Sequence, residues 1–320
     1  MKKPRVLFVS QEMIPYHEES EIANVARYLP QGIQQKGKEI RAFMPKFGSI
    51  NERRNQLHEV IRLSGMNLII DDSDHPLIIK VASIQPARMQ VYFIDNDEYF
   101  GRKYALKDKA NKFYADNDER AIFYCRGVLE TVKKLGWAPD IIHCHGWMTA
   151  LIPLYIKKVF NDDPIFENSK VIYSVYNEGF DKTLDKRFIQ KAVIDGVNIK
   201  NLKTAEKPDF DSINKLAIEW SDGVVKGSEE LSKDMDKYIN SLKKKKPAYP
   251  ILEDEDLPEV SLLIAAYNEE EKVREVISCC QHEGYNVVVV FTDTVPPTED
   301  LAPFTIGLFK EGELYTYYTD

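Results

Sequence analysis

Between Arg5 and Gly227 the chain alternates short apolar, β-branched runs with stretches whose apolar residues recur at helical spacing, and this alternation restricts its fold more than any other feature. The strands it predicts are Arg5–Ser10, Glu39–Pro45, Pro76–Ile84, Met89–Asp95, Asp140–His145, Val171–Tyr176 and Asp222–Gly227. Helices are predicted at Glu21–Lys36, Asn117–Leu135, Trp147–Phe160 and Ser212–Trp220. In the second of these, Ile122, Phe123, Val128, Leu129, Val132 and Leu135 share one broad face. Asp116 with Glu119 reads as a capping-box pair at its start, and Gly136 as its stop. Runs such as Ile141-Ile142, apolar on successive residues, suit a sheet covered on both faces. The expectation is an α/β fold, a Rossmann-like, doubly wound parallel sheet with a small α/β unit after it. Chemistry in such sheets gathers at the carboxyl ends of the strands, here after Ser10, His145 and Tyr176.

The chain divides by composition. Lys243–Lys246, Pro247, Pro250 and the acidic run Glu253–Asp256 read as a solvated linker over 243–259, separating a domain of residues 1–242 from a unit of 260–320. A net charge of −8 argues against general nucleic-acid binding. No run is apolar for long enough to span a membrane, and Val6–Val9 is too short for a signal-peptide core, so a cytoplasmic protein is expected. Cys125, Cys144, Cys279 and Cys280 show no Cys-x-x-Cys spacing and read as buried thiols.

Several blocks occur in order: Val6-Leu7-Phe8-Val9-Ser10-Gln11-Glu12-Met13-Ile14-Pro15-Tyr16, Leu29-Pro30, Met44-Pro45-Lys46-Phe47-Gly48, Tyr92-Phe93-Ile94-Asp95-Asn96, Asp116-Asn117-Asp118-Glu119-Arg120 and Pro139-Asp140-Ile141-Ile142-His143-Cys144-His145-Gly146-Trp147. Together they resemble the N-terminal half of glycogen and starch synthases, and the short form known from Bacteroidetes that carries only this half. The resemblance implies one half of a GT-B glycosyltransferase, which transfers glucose from ADP-glucose to an α-1,4-glucan without a metal or other cofactor. It also implies that this half holds an α-glucan or maltooligosaccharide, and that the missing half grips the nucleotide. A protein partner supplying a donor-binding domain is therefore one expectation.

Three loops depart from the family pattern. Where the family has Lys-x-Gly-Gly-Leu against the donor diphosphate, this chain has Glu18, Glu19, Ser20, Glu21 and Ile22, and the Asp that follows is Asn24. A lysine, a helix N-terminus and closely approached glycine backbone attract a diphosphate. Three carboxylates repel it, each close pair by about 1 kcal/mol in water and roughly 4 near a protein surface. The loop thus disfavours ADP-glucose, and Ser20 or Glu21 reads as the start of a helix. The family's His-Asp-Trp becomes His145-Gly146-Trp147, which loses the carboxylate, and its Val-His-Asn becomes Val175-Tyr176-Asn177, which loses the histidine. Gly146 and Tyr176 are thus degenerate active-site positions, while His145, Trp147 and Asn177 remain candidates for contact with sugar.

Alternation places His143 and His145 on one face of a strand; with no evident third ligand, hydrogen bonding or packing is expected rather than a metal. Trp137 and Trp147 could stack on glucose rings, whereas Trp220 reads as core. Val260–Glu270 is similar to the first strand and loop of a family-two glycosyltransferase, with a helix at Glu270–Cys280, a strand at Asn286–Phe291 ending near Asp293, and a hairpin over Phe304–Tyr318. Three functions follow. The chain is a glucan synthase that works with a donor-binding partner or through unusual loops, a non-catalytic glucan-binding or regulatory module, or a nucleotide-sugar binder through its C-terminal unit. Loop electrostatics favour loss of activity in the chain alone.

Overall fold

The computed structural model describes residues 3–85, 87–193, 207–228, 230–242, 261–267, 287–292, 306–310 and 313–316, the last four ranges as backbone strands. The chain divides into two compact units, Met1–Tyr173 with Glu178–Ser221, and Ser174–Asn177 with Asp222–Asp320.

Up to Ser221 the elements run β1 (Arg5–Ser10), α1 (Glu21–Gln35), β2 (Glu39–Pro45), β3 (His58–Glu59), β4 (Met66–Ile70), β5 (Ser73–Ile84), β6 (Met89–Asp95), α2 (Asp97–Phe100), α3 (Asn117–Leu135), β7 (Ile141–His145), α4 (Leu151–Lys158), β8 (Lys170–Val175), α5 (Phe188–Ala192) and α6 (Phe210–Trp220). The sheet order is β8-β7-β1-β2-β6-β5-β3, with β4 paired to β5. β1 is parallel to β2 and β7, and β2 is parallel to β6. β5 turns back antiparallel on β6. Val6 to Ser10 are all buried, as a central strand covered on both faces must be. The α/β reading, with its parallel-dominated sheet, holds.

Local chemistry fixes the helices. Ser20 is the N-cap of α1, accepting from the Ala23 N–H at 3.0 Å. Gly136 closes α3 at φ 61°, and its N–H reaches the Val132 and Lys133 carbonyls. The Tyr124 hydroxyl, fully buried on α3, donates to the carbonyls of Ser10 at 2.7 Å and Phe43 at 2.9 Å, which ties the helix to the carboxyl ends of β1 and β2.

Two expectations are corrected. Asp116 precedes α3 but makes no side-chain cap bond. The Arg102 guanidinium takes both its oxygens, at 2.6 and 2.5 Å, a charge-assisted fork that outcompetes a backbone N–H. Trp147–Phe160 is not one helix: Trp147–Thr149 forms a 3-10 turn before α4. The Thr149 N–H and hydroxyl both return to the Gly146 carbonyl, and Pro153, in the first turn of α4, has no N–H to continue a longer ladder.

The second unit holds β9 (Gly223–Lys226), α7 (Lys233–Leu242), β10 (Ser261–Tyr267), β11 (Val287–Thr292), β12 (Ile306–Lys310) and β13 (Glu313–Thr316). β9, β10 and β11 are parallel neighbours, and β12 and β13 follow antiparallel in the expected hairpin. The 243–259 linker, the Glu270–Cys280 helix, Cys279, Cys280 and Asp293 lie outside the described residues.

Candidate functional site

A cavity of about 440 Å³ opens where β1 ends, lined by Gln11, Glu12, His17, Phe47, Tyr104 and Asn111 among others. Ser10 ends the strand, and its hydroxyl donates to the Glu12 carbonyl at 2.7 Å, turning the chain sharply. That turn brings a small polar network together. The Glu12 carboxylate accepts from Gln11 Nε2 at 2.7 Å and Ser20 Oγ at 3.0 Å, and lies 3.0 Å from His17 Nδ1. Burial pushes the Glu12 carboxyl up, but the His17 hydrogen bond and charge, with Gln11 and Ser20, hold it below its ordinary value. Burial pulls His17 down, yet Glu12 outweighs it and leaves the imidazole above its ordinary value.

Gly146 turns the chain at the end of β7 with φ 83°. Gln11 fills the space beside it: a Cβ built at 146 would lie 2.5 Å from Gln11 Oε1 and 2.6 Å from Cδ. The same Oε1 accepts the Met148 N–H at 3.4 Å. The side chain missing at 146 is thus replaced by one from the turn that follows β1, a substitution the spacing of the sequence does not reveal.

His143 and His145 do share a strand face, with ring centroids 4.0 Å apart. Burial pulls His143 down to about 3, and burial together with His143 pulls His145 well below its ordinary value, so both rings are neutral near pH 7. Among the described residues no group of three or more His, Cys, Asp or Glu side chains could hold a metal ion. Trp147 is 1% exposed, its ring edge-on to Phe180 at 4.8 Å, so protein covers the faces that a stacked sugar would need. Trp137 is buried too, and its indole N–H donates to Glu39. Trp220, expected in the core, is half-buried with the Lys158 ammonium 4.7 Å above its ring.

In the second unit Tyr176 is buried against Gly227, where an added Cβ would stand 2.6 Å from the ring. Asn177 is exposed and donates its N–H to Ser228 Oγ at 2.9 Å. Cys125 and Cys144 are buried free thiols, as expected.

At the entrance of α1, Glu18, Glu19 and Glu21 are exposed, while Ser20 and Asn24 are half-buried. A residue that no local pattern points to completes the entrance. Glu178, 157 positions from Glu21, accepts the Glu21 N–H at 2.8 Å and also the Ile22 N–H. Burial, then the charges of Glu12 and Glu21, push the Glu178 carboxyl up despite those bonds. The anion-seeking end of the helix therefore holds an anion from its own chain.

Comparison with known proteins follows the same outline. Residues 5–241 match the family described as the starch synthase catalytic domain. The chain is 39% identical over 178 residues to a glycogen synthase of Chlorobium luteolum, covering 54% of this chain and 36% of that protein. It is 32% identical over 238 residues to a glycogen synthase of Chlorobaculum parvum, covering 72% and 47%. The matched part is thus less than half the length of these relatives. Among solved structures, the catalytic domain of starch synthase IV from Arabidopsis thaliana, bound to ADP and acarbose, superposes with a TM-score of 0.60 at 16% identity, covering 92% of this chain and 70% of that one. With its blocks in order and its strands in the expected sequence, this chain belongs to the starch synthase catalytic domain family.

Proposed function

We propose that this chain is a glucan-binding or regulatory protein of α-glucan metabolism, and that on its own it does not use ADP-glucose. The observation that carries the reading is the carboxylate of Glu178 on the first N–H groups of α1. A diphosphate at that helix end would have to displace it and then sit among Glu12, Glu18, Glu19 and Glu21. Like charges at contact distance repel by about 1 kcal/mol in water and roughly 4 near a protein surface, so the disadvantage accumulates with each group. Supporting it from the other side, Gly146 carries no carboxylate and Gln11 occupies the room for one.

In this reading α-glucan or maltooligosaccharide meets the cavity at the end of β1, where an amide, a carboxylate and the Phe47 and Tyr104 rings offer the mixed polar and aromatic lining that sugars favour. His145 and Trp147 shape the Gly146 turn from within. The glucan domain lies within residues 1–242, and the protein works in the cytoplasm. Titration calorimetry of the full chain with maltoheptaose and, separately, with ADP-glucose tests the proposal. The expected result is heat from the oligosaccharide only. Donor binding, or transfer of labelled glucose into polymer by the chain alone, overturns it.

A further inference from the structure

A second cavity, of about 530 Å³, lies beside the first and shares Lys107 and Asn111 with it. Its lining includes Lys107, Lys112, Lys182, Asn111, Thr183 and Asp181. Three lysines and one aspartate thus line it, in a chain whose net charge is −8. Among the described residues none of the three lysines has a carboxylate within ion-pair distance. Asp108, the acid nearest in sequence to Lys107, accepts the backbone N–H groups of Ala110 and Lys112 at 2.8 and 2.9 Å and so serves its own loop.

The walls are held in place. Lys107 and Phe113 form an antiparallel bridge, and the Asp108 N–H to Lys112 carbonyl bond of 2.8 Å and the Tyr114 N–H to Leu106 carbonyl bond of 3.1 Å close a tight hairpin. Asn117 Nδ2 anchors the base of that hairpin by donating to the Leu106 carbonyl at 2.9 Å. The opposite wall is fixed by the Leu184 N–H to Pro208 carbonyl bond of 2.9 Å. Phe113 on the hairpin and Phe180 on the other wall lie with ring centroids 5.1 Å apart, which locks the two sides together. The backbone therefore holds the roots of the lysines in place before any ligand arrives, which spares part of the ordering cost of binding.

We propose that this cavity binds a phosphate monoester carried by a sugar. Lysines supply the point charges that phosphate binding uses, and Asn111 and Thr183 offer hydrogen-bonding partners suited to sugar hydroxyls. The space lies within the usual range of small-molecule sites, and bare phosphate would leave much of it empty. The ester can come from a free hexose phosphate or from a phosphorylated position on a glucan whose neutral units occupy the adjoining cavity. The inference does not rest on the proposed function, since the lysine cavity can fill whether or not neutral glucan binds next door.

Calorimetry of the full chain with glucose 6-phosphate, a phosphorylated maltooligosaccharide, glucose and inorganic phosphate provides the test. One or both esters are expected to bind, at least tenfold more tightly than inorganic phosphate, and binding is expected to weaken with added salt. Tighter binding of the oligosaccharide identifies the glucan as source, and tighter binding of glucose 6-phosphate identifies the free sugar. The double variant Lys112→Gln/Lys182→Gln should lose at least tenfold in affinity and Lys112→Arg/Lys182→Arg should retain it, with unchanged melting curves because both lysines are exposed. Equal binding of inorganic phosphate, no binding of either ester, or an equal loss in the remote surface variant Lys36→Gln overturns the proposal.

Discussion

Gln11 occupies the volume that a side chain at Gly146 would require, its Oε1 2.5 Å from the position of a Cβ there. Restoring the family carboxylate by Gly146→Asp therefore meets two obstacles, the amide of Gln11 and a backbone held at φ 83°. A loss of about 1–3 kcal/mol in urea unfolding is expected from the backbone strain alone. Gln11→Ala in the same chain should recover only the part due to the clash. Wild-type stability for Gly146→Asp would show that the turn has more freedom than its geometry implies.

Glu178 should act as a remote cap for α1. Replacing it with Ala strips an acceptor from the Glu21 and Ile22 N–H groups and is expected to lower stability by about 1 kcal/mol, whereas Gln keeps an acceptor oxygen and loses less. Chemical denaturation of the two variants measures the difference. An Ala variant as stable as the Gln variant would mean that water serves these groups equally well.

The His17–Glu12 pair gives stability a pH window. His17 is raised in the folded state, so its contribution is complete below the ordinary 6.5 and fades as pH rises through the higher folded value. Glu12 is lowered, so its contribution is complete above the ordinary 4.5 and fades as pH falls through the lower folded value. Between those two ordinary values both contributions stand in full. The Tm advantage of the native chain over His17→Gln should be largest there and shrink on the alkaline side. A pH-independent difference would assign the effect to packing instead.

Tyr176 and Gly227 should be energetically coupled. Gly227→Ala places a methyl 2.6 Å from the Tyr176 ring and is expected to cost about 1–3 kcal/mol by overpacking. In a Tyr176→His background the smaller ring should relieve much of that loss. A double-mutant cycle by denaturation reads the coupling directly, and additive losses would mean that the two residues do not press on each other.

Features within a few residues of each other were legible in the sequence. The bounds of β1, β2, β6 and α3 follow from apolar spacing, and Ser20 and Gly136 occupy the caps their chemistry suits. What escaped depended on distant partners. Asp116 looks like a cap until Arg102 is folded against it, and Glu178 belongs to α1 only in three dimensions. β4 escaped for a different reason: it is a short strand with two buried positions, Leu68 and Ile70, and its existence depends on pairing with β5. His145 and Trp147 show the same limit at the site, because nothing in a motif tells whether its side chains face a ligand or the core.

The carboxylate seated on α1 also bears on how such a protein could change with time. On the proposed function, reinstating lysine and two glycines in the loop would leave an acid from another part of the chain already in residence, so three local reversions would recover little while a fourth, far away, is lacking. Each of those steps alone would then confer no donor binding for selection to favour. Under that proposal the arrangement acts as a ratchet, and the easier path from it leads toward new ligands for the surface that remains.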